Sequence, residues 1–347
     1  MDSRILVLNY NGRQLLAECL PSVVEAAERA ADVCRVGVVD NGSSDGSLGY
    51  LRRRWPSVQV FRQPNRGLAS FNAVLRYVSE PVVFLLNNDV KLDAGFIDPM
   101  LAVFRRHDDC FLAGPLCWGF DGKTYEGMRT RVRLRRGLVE ATARVPGYKR
   151  AIHRPGATAA VGPVLAVDRK KFLTLGGYDP IYFPGRIEDL DLGFRGWRAG
   201  WKAYYVPNAV AYHKGFGTFE GAFGRAGCDL LALRNTLLFI WKNLRAVEHL
   251  AGHFGWLPVR FIHSVLTAPW APPERRLLFA RALAAAVRRL ADRETSPEAG
   301  DRHAGRCAAA VGIGRGGLFC TTARETERPR WRKATAAERA FFRQFGW

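Results

Sequence analysis

Four short apolar runs, separated by amphipathic helix-length segments, dominate the first 90 residues. Residues 4–9, 36–40, 58–61 and 82–86 are built largely from Val, Ile, Leu and Phe. The most apolar of them suit strands buried on both faces. Between the first two, residues 13–30 carry Leu15, Leu16, Cys19, Leu20, Val23 and Val24 at the i, i+3, i+4 spacing of one helix face. Residues 47–54 and a segment reaching about Ser79 read as further helices. Strands alternating with helices imply parallel βαβ units, so the expected fold class is α/β with a doubly wound, mostly parallel sheet.

Where these runs stop matters for chemistry. Residues 82–86 end abruptly in Asn87-Asn88-Asp89, and residues 36–40 end in Asp40 before Asn41-Gly42-Ser43-Ser44-Asp45-Gly46. Open α/β sheets bind ligands at the carboxyl ends of their strands. An acid there supplies an oxygen ligand beside an open crevice, which suits a divalent cation. No GxGxxG follows the first strand and no GxxxxGK[ST] occurs. The dinucleotide fingerprint and the P-loop are therefore excluded.

The later chain is less regular. Residues 94–107 read as a helix and 111–114 as a strand. Residues 123–154 hold ten Lys and Arg against Glu126 and Glu140, and 131–135 alternate like a strand with one basic face. A strand over 160–167, a short helix over 170–175 and a turn at Gly176-Gly177-Tyr178-Asp179-Pro180 follow. Ile187, Leu190, Phe194 and Trp197 form one apolar stripe if their segment is helical. Glu188 and Asp189 then lie in its first turn, where the helix dipole favours anions. Asp191 is expected to pair with Arg195 four residues on. Two short strands, 201–206 and 209–212, lead to His213. Beyond them the pattern predicts helices over 226–245 and 274–293, a linker over 294–317 and a short terminal helix over 331–347.

Composition bounds the partners. A hydrophobic content of 48% is that of a globular chain, and the formal charge of +20 favours acidic partners. The seven cysteines form no CxxC pair, which argues against a structural zinc site or a disulfide framework. A reducing cytoplasm is the expected location. The opening run reads as a strand, not a cleavable leader. No stretch of about 18 uncharged apolar residues is present to span a membrane. Contact with a membrane surface through the basic segments is a further expectation, weighed against packing on the rest of the protein.

Taken in order, Asn9-Tyr10-Asn11-Gly12, Asp40 to Asp45, Asn65-Arg66-Gly67 with Asn72, Asn87-Asn88-Asp89, Gly176 to Asp179, Glu188-Asp189-Leu190-Asp191-Leu192 with Arg195, and His213 with Gly217-Thr218 resemble family 2 inverting glycosyltransferases of GT-A fold. The pattern is most similar to rhamnosyltransferase-like and galactofuranosyltransferase-like members. The resemblance spans about Ile5 to Arg245. It implies that Asp40 bonds the pyrimidine of a UDP or dTDP sugar. Asn9, Asn11, Asn65, Gly67, Asn72 and Asn88 would shape the nucleotide-sugar pocket. Asp89 and His213 would hold Mg or Mn, and Asp189 would be the catalytic base, with Glu188 the second choice. The acceptor would be a glycan or lipid-linked saccharide, with no nucleic acid partner. The implied organisation is a catalytic domain over 1–220, with a nucleotide half over 1–115 and an acceptor half over 116–220. A basic helical extension over 221–293 and a partly disordered linker and tail over 294–347 would follow. The strand-end element departs from the family's two-acid pattern by carrying one carboxylate. Two alternatives stand beside this reading: a nucleotidyltransferase of related fold, and a non-enzymatic basic protein that binds nucleic acid or membrane.

Overall fold

The computed structural model describes residues 1–215, 217–295 and 328–347. The chain forms two compact units. One comprises Met1–Arg133, Ala141–Gly221 and Phe345–Trp347, the other Leu134–Glu140 and Ala222–Gln344.

The first unit is built on a ten-stranded sheet. It opens with β1 (Ser3–Asn9), α1 (Arg13–Glu28), β2 (Cys34–Asp40), α2 (Ser47–Arg54), β3 (Gln59–Arg62), α3 (Ser70–Val74) and β4 (Val82–Asn87). Strands β1 to β4 run parallel in the spatial order β4-β1-β2-β3. Ile5, Leu6, Val38, Val39, Phe84 and Leu85 are buried, as expected of strands covered on both faces. Helix α1 covers them with Leu16, Leu20, Val23 and Ala27.

After β4 the alternation changes. A short β5 (Val90–Leu92) and α4 (Ile97–Arg106) lead to β6 (Cys110–Gly119) and β7 (Tyr125–Gly127). A small two-stranded ribbon follows, β8 (Arg131–Arg135) with β9 (Leu138–Thr142). Then come β10 (Gly156–Thr158), β11 (Val164–Asp168), α5 (Arg169–Thr174), α6 (Glu188–Arg198) and β12 (Lys202–His213). Strand β11 inserts antiparallel between β4 and β6, while β12 lies parallel to β6. The sheet is therefore mixed, with its parallel core in the first 90 residues.

Strand β6 runs on past residue 114 through Pro115, and the two strands expected over 201–212 are one. The register between β12 and β6 shifts just after the Val206 and Pro115 pair. A bulge there accommodates a residue that cannot donate to the ladder.

The second unit is mostly helical. It holds most of α7 (Gly217–Asn243), interrupted at Gly224, together with α8 (Val247–Leu266), α9 (Leu278–Thr295) and most of α10 (Arg328–Phe345). The buried Glu338 carboxylate accepts from the backbone N–H groups of Arg245 and Ala246 and contacts His249 Nδ1 at 2.5 Å, which ties α10 to the start of α8. Trp241 donates to His253 Nε2, so His253 Nδ1 donates to Gly137 O at 2.6 Å. The linker expected over 294–317 lies, from 296 on, outside the described residues. No described helix is long and apolar enough to cross a membrane.

Candidate active site

Register brings the polar strand ends together. Pairing of β1 with β2 sets Asn9 beside Asp40, and pairing of β1 with β4 sets Leu8 beside Asn87. A chain of hydrogen bonds follows from this. Asn88 Nδ2 donates to Asn9 Oδ1 at 2.8 Å, and Asn9 Nδ2 donates to Asp40 Oδ1 at 3.2 Å. The second Asp40 oxygen accepts from Ser43 N at 3.0 Å. Asn11 closes the same corner, its Oδ1 accepting from Ser44 N at 2.8 Å. Gly12 is required here, because a Cβ on it would lie 2.0 Å from Asn88 Nδ2. Asp40 is fully buried and both its oxygens are engaged within the protein.

The next loop carries Asn65, Gly67 and Asn72. Asn65 Oδ1 accepts from Gly67 N at 3.1 Å, and Asn41 Nδ2 donates to Gly67 O. Asn72 reaches elsewhere. Its Nδ2 donates to Tyr178 O at 2.7 Å and its Oδ1 accepts from Tyr178 N at 2.9 Å. Asn72 thus pins the Gly176-Gly177-Tyr178-Asp179 turn to α3. Arg66, Leu68, Tyr178, Phe183 and Glu188 line one shallow crevice. The loop after β3 and the start of α6 therefore face the same space.

His213 reaches Asp89 through β5. That strand starts one residue after Asp89 and pairs antiparallel with β12, setting Val90 opposite His213. His213 Nε2 lies 3.4 Å from Asp89 Oδ2, and Lys214 N donates to Asp89 O. A third group also arrives here: Glu126 on β7, whose Oε2 lies 3.8 Å from His213 Nδ1. Burial disfavours charge on the imidazole, but Asp89 and Glu126 outweigh it and push it up to about 9. The corner thus favours positive charge. Asp89 Oδ1 is buried with no hydrogen-bond partner among the described residues. An orphaned carboxylate oxygen beside an imidazole suits one divalent cation with oxygen and nitrogen ligands. Among the described residues no group of three or more His, Cys, Asp or Glu is arranged to hold a metal. Substrate oxygens would have to complete the shell. Lys214 turns away, its Nζ donating to Glu18 Oε2 at 2.7 Å.

Glu188 and Asp189 open α6, whose N-cap Ile187 sits in the left-handed region at φ 72°. Each has one buried oxygen, Glu188 Oε2 and Asp189 Oδ1, without a hydrogen-bond partner among the described residues. Burial pushes the Glu188 carboxyl up to about 7, against its own backbone N–H and the Arg186 charge. Burial, with the neighbouring Glu188 charge, holds Asp189 well above the usual carboxylate range. A methyl group placed on Gly162 would lie 3.9 Å from Asp189 Oδ2. The adjoining Pro163 O accepts from Asn87 N at 3.0 Å, so Asp189 stands next to the loop that seals the β4 strand end. Asp191 is structural, as the spacing predicts. Its oxygens accept from Tyr182 Oη at 2.9 Å and Arg195 Nε at 2.6 Å.

Glu126 was not legible as a site residue. In the sequence it is one acid in a basic stretch, and only the pairing of β7 with β6 carries it to His213.

Comparison with known proteins places the chain in a family. The Glycosyl transferase family 2 model matches residues 4–167. An N-acetylglucosaminyl-diphospho-decaprenol L-rhamnosyltransferase of Mycobacterium tuberculosis is 30% identical over 277 residues, covering 73% of this chain and 85% of that protein. Among solved structures, S. aureus TarS 1-349 with UDP-GlcNAc superposes with a TM-score of 0.54 at 14% identity, over 99% of this chain and 90% of that one. GalNAc-T7 with UDP, GalNAc and Mn2+ superposes with a TM-score of 0.53 at 18% identity, over 86% of this chain. This chain spans 58% of the GalNAc-T7 chain, somewhat over half its length. The two solved neighbours share the fold. The rhamnosyltransferase shares enough sequence over enough of both proteins to set aside the nucleotidyltransferase and non-enzymatic alternatives: the chain belongs to glycosyl transferase family 2 and is a glycosyltransferase of GT-A fold.

Proposed function

We propose that this enzyme is a metal-dependent inverting glycosyltransferase that moves a hexosyl group from a UDP or dTDP sugar to a hydroxyl of a lipid-linked saccharide. One observation carries the reading. Asp189 has a buried, unpartnered oxygen and a proton affinity raised by burial, beside the loop that bonds the Asn87 strand end. A carboxylate with raised proton affinity in a crevice is suited to take a proton from an attacking hydroxyl. The acceptor oxygen then bonds the anomeric carbon from the face opposite the nucleotide, the bond to the diphosphate breaks, and the proton stays on Asp189. Glu188 keeps that proton affinity high through its charge.

Asp89 and His213 would hold a Mg or Mn ion, whose charge would offset that gathering on the departing diphosphate. The interlocked Asn9, Asn11, Asp40 and Asn88 corner would form the floor under the nucleotide, with Asn65 and Gly67 at its side. Asn72 would act indirectly, by fixing the Tyr178 turn. The rhamnosyltransferase relative is named for a lipid-linked GlcNAc acceptor, which supports an acceptor of that class, held at a membrane by its lipid.

The test is Asp189→Asn assayed against a panel of nucleotide sugars. Transfer should fall by about 10² to 10⁴-fold, the usual contribution of a general base. Donor affinity by calorimetry should stay within about twofold of wild type. Turnover at the wild-type rate would remove Asp189 from the role.

A further inference from the structure

Helix α8 presents an apolar face to solvent that the transferase chemistry does not use. Phe254, Phe261, Ile262, Val265 and Leu266 are 43 to 64% exposed, and Trp270, just past the helix, is 84% exposed. At helical spacing these α8 side chains fall on one broad arc, and the buried His253 and Ser264 lie on the other side. A contiguous apolar surface of this kind marks an interaction site. Its charge pattern says which kind. From residue 252 to 273 the one fully charged side chain is Arg260. Its Nε is turned inward, donating to Arg136 O at 2.8 Å. The exposed Glu274 follows, then Arg275, which pairs with Asp229 at 2.8 Å, and the exposed Arg276, with the exposed Arg281 and Arg288 further on along α9.

A charge-free face of Phe, Ile, Val and Leu, a tryptophan at its end and a cluster of arginines beyond is the pattern of a helix lying in a bilayer interface. The apolar side chains enter the acyl boundary while the arginines meet lipid phosphates. The face is too short and too interrupted to span, and no described helix is long and apolar enough to cross a membrane. The basic strand β8 is a weaker candidate. Its Arg131 donates to Gly346 O at 2.7 Å and its Arg133 lies over the Trp347 ring at 4.4 Å, so the carboxyl terminus already engages that face.

We propose that the exposed face of α8, with Trp270 and the arginines that follow, is a docking surface for an anionic lipid bilayer. This deepens the reading of a membrane-side acceptor. It is nevertheless tested without donor or acceptor, so the failure of one is distinguishable from failure of the other.

The experiment is co-sedimentation of the full chain with vesicles of phosphatidylcholine, with and without phosphatidylglycerol. Wild type should pellet with the phosphatidylglycerol vesicles, and rising salt should release it. The double variant Phe261→Asp, Ile262→Asp should lower the bound fraction by about tenfold or more, and Trp270→Ser by less. Both should keep the wild-type melting curve and transfer to a water-soluble acceptor, because the altered side chains already face solvent. Wild type that ignores the vesicles, or variants that bind them as wild type does, would overturn the proposal. So would a wild-type dimer in light scattering that Ile262→Asp turns into a monomer, since the face would then belong to a second copy of the chain.

Discussion

At the scale of single residues, the first-turn acids of α6 carry a cost that the rest of the molecule must offset. Glu188 and Asp189 adjoin each other, each with an orphaned buried oxygen, so the folded chain retains protons that the unfolded chain gives up. The sign follows from linkage. Well below about pH 4 both states are protonated and the titration of the pair costs nothing. As pH rises towards the folded value of about 7 for Glu188, the unfolded state ionises first, and stability falls. Glu188→Gln should therefore be more stable than wild type by about 1–2 kcal/mol near pH 8, with no difference near pH 4. Urea melts at the two pH values measure this. A variant less stable than wild type near pH 8 would mean that the carboxyl is stabilised as an anion. The sequence made these two acids visible because they precede an apolar stripe of helical period. Their desolvation was not visible, because it comes from tertiary packing such as the approach of Gly162 to Asp189, a residue remote in sequence from α6.

At the scale of elements, α6 is held so close to its neighbours that two of its positions admit no side chain. A Cβ on Gly193 would meet Ala159 O at 2.3 Å, and one on Gly196 would meet the Phe111 ring at 2.4 Å. The first contact is with backbone and cannot be relieved by a rotamer change. Gly193→Ala should cost about 1–3 kcal/mol and, by moving the helix that presents Asp189, lower kcat more than it raises KM. Gly252→Ala is the matched control. It sits in α8 with no atom within 4 Å of its would-be Cβ, and should stabilise by about 0.5–1 kcal/mol through helix propensity. Thermal melts of the two variants should move in opposite directions. Legibility at this scale follows the range of the interactions. The parallel strands β1 to β4 could be read because each is an apolar run bounded by a helix. The antiparallel entry of β11 could not, since its partners β4 and β6 are chosen by long-range pairing. Helix α8 was not read from the sequence, because an apolar face turned to solvent blurs the amphipathic signal.

At the scale of the whole molecule, the site and the stability of the fold are joined through ligand binding. Asp89 and His213 offer one carboxylate and one imidazole, with Glu126 behind the ring. Two protein ligands on a partly hydrated cation give weak binding, and the imidazole pushed up to about 9 means that a cation must displace a proton near neutral pH. A nucleotide diphosphate adds oxygens and negative charge at the same corner. The two ligands should therefore bind cooperatively, each raising the affinity of the other by the same factor. Mn2+ alone should leave Tm unchanged to within about 1 °C. UDP or dTDP with Mn2+ at about 100 times the dissociation constant should add about 2.7 kcal/mol, a rise of about 3–5 °C for a chain of this size. His213→Ala should abolish the part of the shift that depends on Mn2+ and keep the part due to nucleotide alone. A large shift with Mn2+ alone would instead require a complete set of protein ligands, and would break the argument that one strand-end carboxylate needs the donor to hold its ion.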